Sequence, residues 1–98
     1  MAGAQPTIGV LTLDLHIEHS HSLKDKRQVV RSLKDRLRAK FNVATAEIDH
    51  QDSWQRAVVG VITLASDRAR VEQVLQLVER EAANLLGADL VASEIEYL

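Results

Sequence analysis

Residues 22–40, SLKDKRQVVRSLKDRLRAK, leave the chain little choice of conformation. At about 100° per residue, Leu23, Val30, Leu33, Leu37 and Phe41 fall in one quadrant of a helix and form its core stripe. Lys24, Arg27, Arg31, Lys34 and Arg38 recur at intervals of 3, 4, 3 and 4 and make a second, cationic stripe beside it. Ser22 stands where an N-cap belongs, and Asp25 gives a capping-box-like start with a carboxylate in the first turn. A helix with such an apolar stripe has to be laid on a surface that the rest of the chain supplies.

That surface is a sheet. Residues 7–18, TIGVLTLDLHIE, are dense in β-formers, and their apolar positions change phase from Ile8 and Val10 to Leu11, Leu13, Leu15 and Ile17. Two structures have this pattern: a central strand buried on both faces, or a bulge near Val10–Leu11 with Gly9 easing the backbone. Residues 41–50 alternate more weakly, as an edge strand does, and 51–54 read as a turn. Residues 55–66, QRAVVGVITLAS, form the most continuous apolar stretch and read as a second central strand. A tight hairpin at Gln51–Asp52 places Glu47 opposite Arg56 as a cross-strand ion pair. It also puts Ala44, Ala46 and Ile48 on one face with Ala57, Val59 and Val61. Asp67 caps a second helix over 68–86, with Val71, Val74, Leu75, Val78, Ala82, Leu85 and Leu86 at helical spacing and Gly87 as a left-handed C-cap. Residues 89–98, polar enough for an edge, close the chain. Met1–Pro6 is read as a flexible lead-in.

The order βαββαβ, with greasy first and third strands and more polar second and fourth, predicts an α+β ferredoxin-like sandwich. Residues 1–98 form one domain, a four-stranded antiparallel sheet with both helices on one face. The uncovered face carries apolar residues of the third strand, which predicts a homodimer or another partner covering it.

Charge sets the functional question. Eight of the twelve Lys and Arg residues lie in 22–40 against only Asp25 and Asp35, so this segment carries +6. With −2 for the whole chain, the remainder carries −8. General coating of nucleic acid is therefore excluded, and any such contact is confined to a patch. Five cations along roughly 20 Å of helix are suited to a phosphate backbone. The plainer explanation is a solvated face balanced by acidic neighbours, partly through Arg31–Asp35 at i,i+4. Stacking of RNA bases on the sheet is not expected, because Phe41, Trp54 and Tyr97 all lie outside strands one and three.

Other chemistry is thinly represented. The chain has no cysteine, which excludes disulfides, thiolate metal sites and thiol catalysis. Asp14, His16 and Glu18 alternate along one side of strand one, with His19 and His21 beyond, yet they match no defined metal-ligand spacing. Glu47, Asp49, His50 and Asp52 hold carboxylates beside a histidine, but alternation sends Glu47 and Asp49 to one face and His50 to the other. No glycine-rich phosphate loop occurs, and Gly60 in mid-strand reads as a bulge or a close backbone approach. Neither a signal peptide nor a membrane-spanning run is present, so the cytoplasm is the expected compartment. No catalytic residue, metal, cofactor or small-molecule substrate is expected. Trp54 beside a turn reads as a plug over a sheet end or an anchor for a partner.

Taken together, HSLKDKRQVVRSLKDRLRAKFNV and AEIDHQDSWQRAVVGV resemble the small bacterial YlxP-like family, a domain of unknown function. Ser22–Arg27, Phe41–Asn42–Val43 and the run Glu47, Asp52, Trp54, Arg56 and Ala57 carry the resemblance. It implies a ferredoxin-like fold, assigns no catalytic residue, and points to a role near translation initiation or ribosome maturation, since genes of the family often lie beside those functions. The expectation is a non-enzymatic accessory protein in which Lys24, Arg27, Arg31, Lys34 and Arg38 contact ribosomal RNA phosphates. The alternative is a protein-interaction module using the open sheet face or the Trp54 turn.

Overall fold

A computed structural model describes residues 5–98; the lead-in expected over 1–6 falls mostly outside them. The elements run β1 (Thr7–His16), α1 (Leu23–Lys40), β2 (Ala44–Asp49), β3 (Arg56–Ala65), α2 (Arg68–Leu86), a 3-10 turn (Gly87–Asp89) and β4 (Leu90–Tyr97). The sheet order is β2-β3-β1-β4, antiparallel throughout, so the two greasy strands are central and the two polar ones are edges. This is the ferredoxin-like α+β sandwich that the sequence pattern predicts. Among the described residues no helix is long and apolar enough to cross a membrane.

The helix ends follow from their capping chemistry. Ser22 Oγ accepts from the Asp25 N–H at 3.0 Å, while the Asp25 carboxylate accepts from the His21 N–H at 3.1 Å. Asp67 does the same for α2, accepting from the Arg70 N–H at 2.8 Å. The second helix stops at Gly87, whose φ of 55° is costly for a residue with a Cβ.

β1 resolves its change of phase without a bulge at Val10–Leu11: it pairs with β3 in unbroken register from Thr7 to His16. Leu11, Leu13 and Leu15 point to the helices and are fully buried, whereas Ile8 and Val10 belong to the opposite face. Gly9 takes an inward position where a side chain has no room. A Cβ there meets Val71 Cγ1 at 2.5 Å and Leu75 Cδ1 at 2.8 Å, so the glycine lets α2 approach the sheet. The only register shift of β1 is against β4, at Asp14/Leu15.

The β2–β3 hairpin departs from the expected one. The connection spans residues 50–55, with His50 at φ 61°, and the ladder slips between Glu47 and Asp49. Glu47 lies opposite Val59 and Thr45 opposite Val61, while Ala44 and Ala46 face Ile62 and Gly60. The register differs from the tight-hairpin one by an odd number of residues, and an odd shift exchanges the faces. Thr45 and Glu47 therefore point under the helices, and Ala44, Ala46 and Ile48 join the open face. No Glu47–Arg56 pair forms. Arg56 lies across from His16 and reaches Asp14 at 3.6 Å.

Candidate nucleic-acid interface

The first helix sits over β2 and β3 and divides its charges between two flanks. On the flank toward α2, Arg36 and Lys40 reach Glu81 at 3.9 and 2.8 Å. On the other flank, by the 100° step, lie Lys24, Arg27, Arg31, Lys34 and Arg38. Arg38 touches Thr45 of β2 at 3.4 Å, so this flank overhangs the outer edge of the sheet. Lys24, Arg27, Arg31 and Arg38 are exposed, and Lys34 is half-buried. The structure thus brings all five expected residues to one side of one helix.

Of the five, only Arg38 is balanced by a nearby acid among the described residues. Asp35 pairs with Arg38 rather than with Arg31, at i,i+3. Asp25 is the reciprocal cap, Glu81 is shared by Arg36 and Lys40, and Glu47 is taken by Lys26. Among the described residues no salt bridge reaches Lys24, Arg27, Arg31 or Lys34. Four cations spread over about 15 Å of helix stand without a counter-charge.

Lys26 was not singled out by the sequence patterns, and it is the least expected residue of the site. Its side chain is 0 % exposed, in the apolar stripe among Val30, Leu33 and Leu37. Nζ donates to Glu47 Oε2 at 2.6 Å, to the His50 carbonyl at 3.0 Å and to the Gln51 carbonyl at 3.3 Å. Three donors thus meet three acceptors, so the ammonium is saturated and serves as a clamp between α1 and the β2–β3 connection. A signal for it was present: Leu23, Lys26, Val30, Leu33 and Leu37 are spaced 3, 4, 3 and 4, and one of the five is charged.

The connection is held from its other side as well. Gln55 Nε2 donates to the carbonyls of Glu18 and Ser20, the Ile17 N–H donates to the Gln55 carbonyl, and Ser53 Oγ accepts from the N–H groups of Gln55 and Arg56. Within this tethered loop Trp54 is 58 % exposed, so it does not plug the sheet end. Asp14 and His16 occupy the open face, and Glu18, His19 and His21 are exposed beyond the strand or in the connector. Among the described residues no group of three or more His, Asp or Glu side chains is arranged to hold a metal ion. The slip in β2 pairs Asp49 with Val58 of the open face, so Glu47 and Asp49 do not share a face as strict alternation suggested.

Residues 8–95 match the family described as "Protein of unknown function (DUF503)", and the chain belongs to that family. It is 39% identical over 71 residues to the uncharacterized protein YlxP of Bacillus subtilis (strain 168), covering 72% of this chain and 77% of that one. Two solved structures share the fold. The designed protein Foldit4 aligns with a TM-score of 0.51 at 15% identity, over 96% of this chain and 94% of that one. A mutant of SnoaB, a cofactor-independent oxygenase from Streptomyces nogalater, aligns with a TM-score of 0.51 at 14% identity, over 97% and 92%. At such identities the likeness is one of fold alone.

Proposed function

We propose that this protein is a non-enzymatic accessory factor of translation or ribosome maturation, which holds ribosomal RNA by its phosphates along the outer flank of α1. One observation carries the reading: Lys24, Arg27, Arg31 and Lys34 form a row with no acidic partner, on a chain whose net charge is −2. A concentrated cationic row on an otherwise acidic protein attracts a polyanion locally and repels it elsewhere. The open sheet face has no Phe, Tyr or Trp, and its one imidazole, His16, lies at the end of β1, which favours contact with the backbone over stacking of bases. Ribosomal RNA is the polyanion in the setting that the family resemblance implies.

The test compares two double reversals of equal charge. Arg27→Glu/Arg31→Glu alters the row, and Arg70→Glu/Arg80→Glu alters exposed positions of α2. Wild type and the α2 variant co-sediment with ribosomal subunits at low salt, and the α1 variant does not. Equal loss in both variants, or retention in both, removes the reading.

A second reading rests on Trp54, exposed on a loop fixed from both sides. In it the loop is the contact for a partner protein, and Trp54→Ala abolishes association while the α1 reversal leaves it intact.

A further inference from the structure

The outer flank of α1 and the free edge of β2 adjoin, and the combination defines a partner more narrowly than either alone. β2 is hydrogen-bonded to β3 on one side only, so every second residue of Ala44–Asp49 turns its N–H and C=O outward. Natural edges are blunted by charge, proline or cover. The β4 edge is so treated: Glu94 and Glu96 alternate along it, Glu79 of α2 is bonded to Ser93, and Arg68 lies over the Tyr97 ring. On its open face β2 presents Ala44, Ala46 and Ile48, with one charge, Asp49, at its last position, beside a shallow apolar groove of about 250 Å³ that Val10, Gly60 and Ile62 also line. Above the other face of the edge hang the unpaired cations of α1.

We propose that the β2 edge accepts an extended segment of a partner protein in which acidic and apolar residues alternate. Side chains of an added strand point alternately to the two faces. One set then lies beneath Arg27, Arg31 and Lys34 and has to be acidic, and the other continues the apolar open face past Ala46 and Ile48. A second copy does not fit the same edge. Antiparallel β2–β2 pairing about a two-fold axis keeps both helix layers on one side and brings two cationic rows against each other. This inference goes beyond RNA binding but uses some of the same cations, so the segment and RNA exclude one another.

The test uses a short synthetic peptide of alternating Glu and Val, blocked at both ends, and a control of identical composition with its acids grouped together. Binding is read by fluorescence anisotropy and by amide exchange. The alternating peptide binds, slows exchange of outward amides within Ala44–Asp49 and not in β4, and loses about tenfold or more in affinity in Arg31→Glu/Lys34→Glu. Equal binding of the control peptide, or binding without protection of β2, reduces the contact to bulk electrostatics and overturns the proposal. Concentration-dependent protection of β2 in the free protein makes a second copy the occupant and also overturns it. If RNA binds and neither peptide does, the edge proposal fails and the phosphate reading stands. The reverse result sinks the phosphate reading alone.

Discussion

Replacing Lys26 by methionine isolates the clamp that shapes the site. The ammonium is fully buried and has three acceptors, one of them the carboxylate of Glu47, whose side chain is 15% exposed. Methionine fills most of the same volume and suits the apolar stripe, so cavity formation contributes little. The remaining cost is electrostatic: a carboxylate stripped of its cation in a mostly dry site, plus two carbonyls without a donor. Breaking a buried pair from one side costs about 3–5 kcal/mol. Partial access of water to Glu47 places this case near the lower end, at about 3 kcal/mol. For a domain of this length that is a large share of the usual ~5–15 kcal/mol, and it lowers Tm by about 12–24 °C. Urea unfolding followed by far-UV circular dichroism is the suitable assay, because Trp54 is already exposed and reports weakly. Lys26→Met/Glu47→Leu removes both charges and recovers about 2 kcal/mol of the loss, a coupling that a double-mutant cycle measures. A loss under about 1 kcal/mol in the single variant, or no recovery in the double, refutes the clamp.

Four further outcomes follow from particular contacts. Gly9→Ala drives a Cβ into Val71 and Leu75 and costs about 1–3 kcal/mol in the same urea assay, whereas Gly60→Ala meets Ile48 at an ordinary 3.5 Å and is mild by comparison. Ser22→Ala removes the acceptor for the Asp25 N–H and costs about 1 kcal/mol, read as a fall in midpoint at constant m-value. Asp35→Ala breaks only an exposed i,i+3 pair with Arg38 and changes stability by less than about 0.5 kcal/mol by calorimetry. If the open face is the interface of a homodimer, Ile62→Glu/Leu64→Glu yields a monomer in sedimentation equilibrium with unchanged circular dichroism.

The architecture was legible because its signals are local and redundant. Ser22 and Asp67 cap, Gly87 stops, and the two greasy strands could only be central, so the order β2-β3-β1-β4 follows from burial and connection rules. The register of β2 was not legible, because it depends on a left-handed His50 and on a slip at Ile48, and neither residue type announces such a conformation. With that slip Glu47 lies on the underside of α1, where Lys26 takes it in place of the expected Arg56. The cationic row was legible as spacing, yet its lack of counter-charge was not. That depends on Glu81 and Glu47, acids distant in sequence, being committed to other partners. Lys26 lay in plain view at a core position, hidden by its membership of a lysine- and arginine-rich segment in which all cations look alike.

The salt dependence of RNA affinity tests the central claim most directly. If Lys24, Arg27, Arg31 and Lys34 each neutralise one phosphate of a single strand, the slope of log K against log salt is about −2.8, and Arg27→Ala/Arg31→Ala halves it to about −1.4. A wild-type slope near zero, or one that the double substitution leaves unchanged, contradicts the account and makes the row a solvated face of α1.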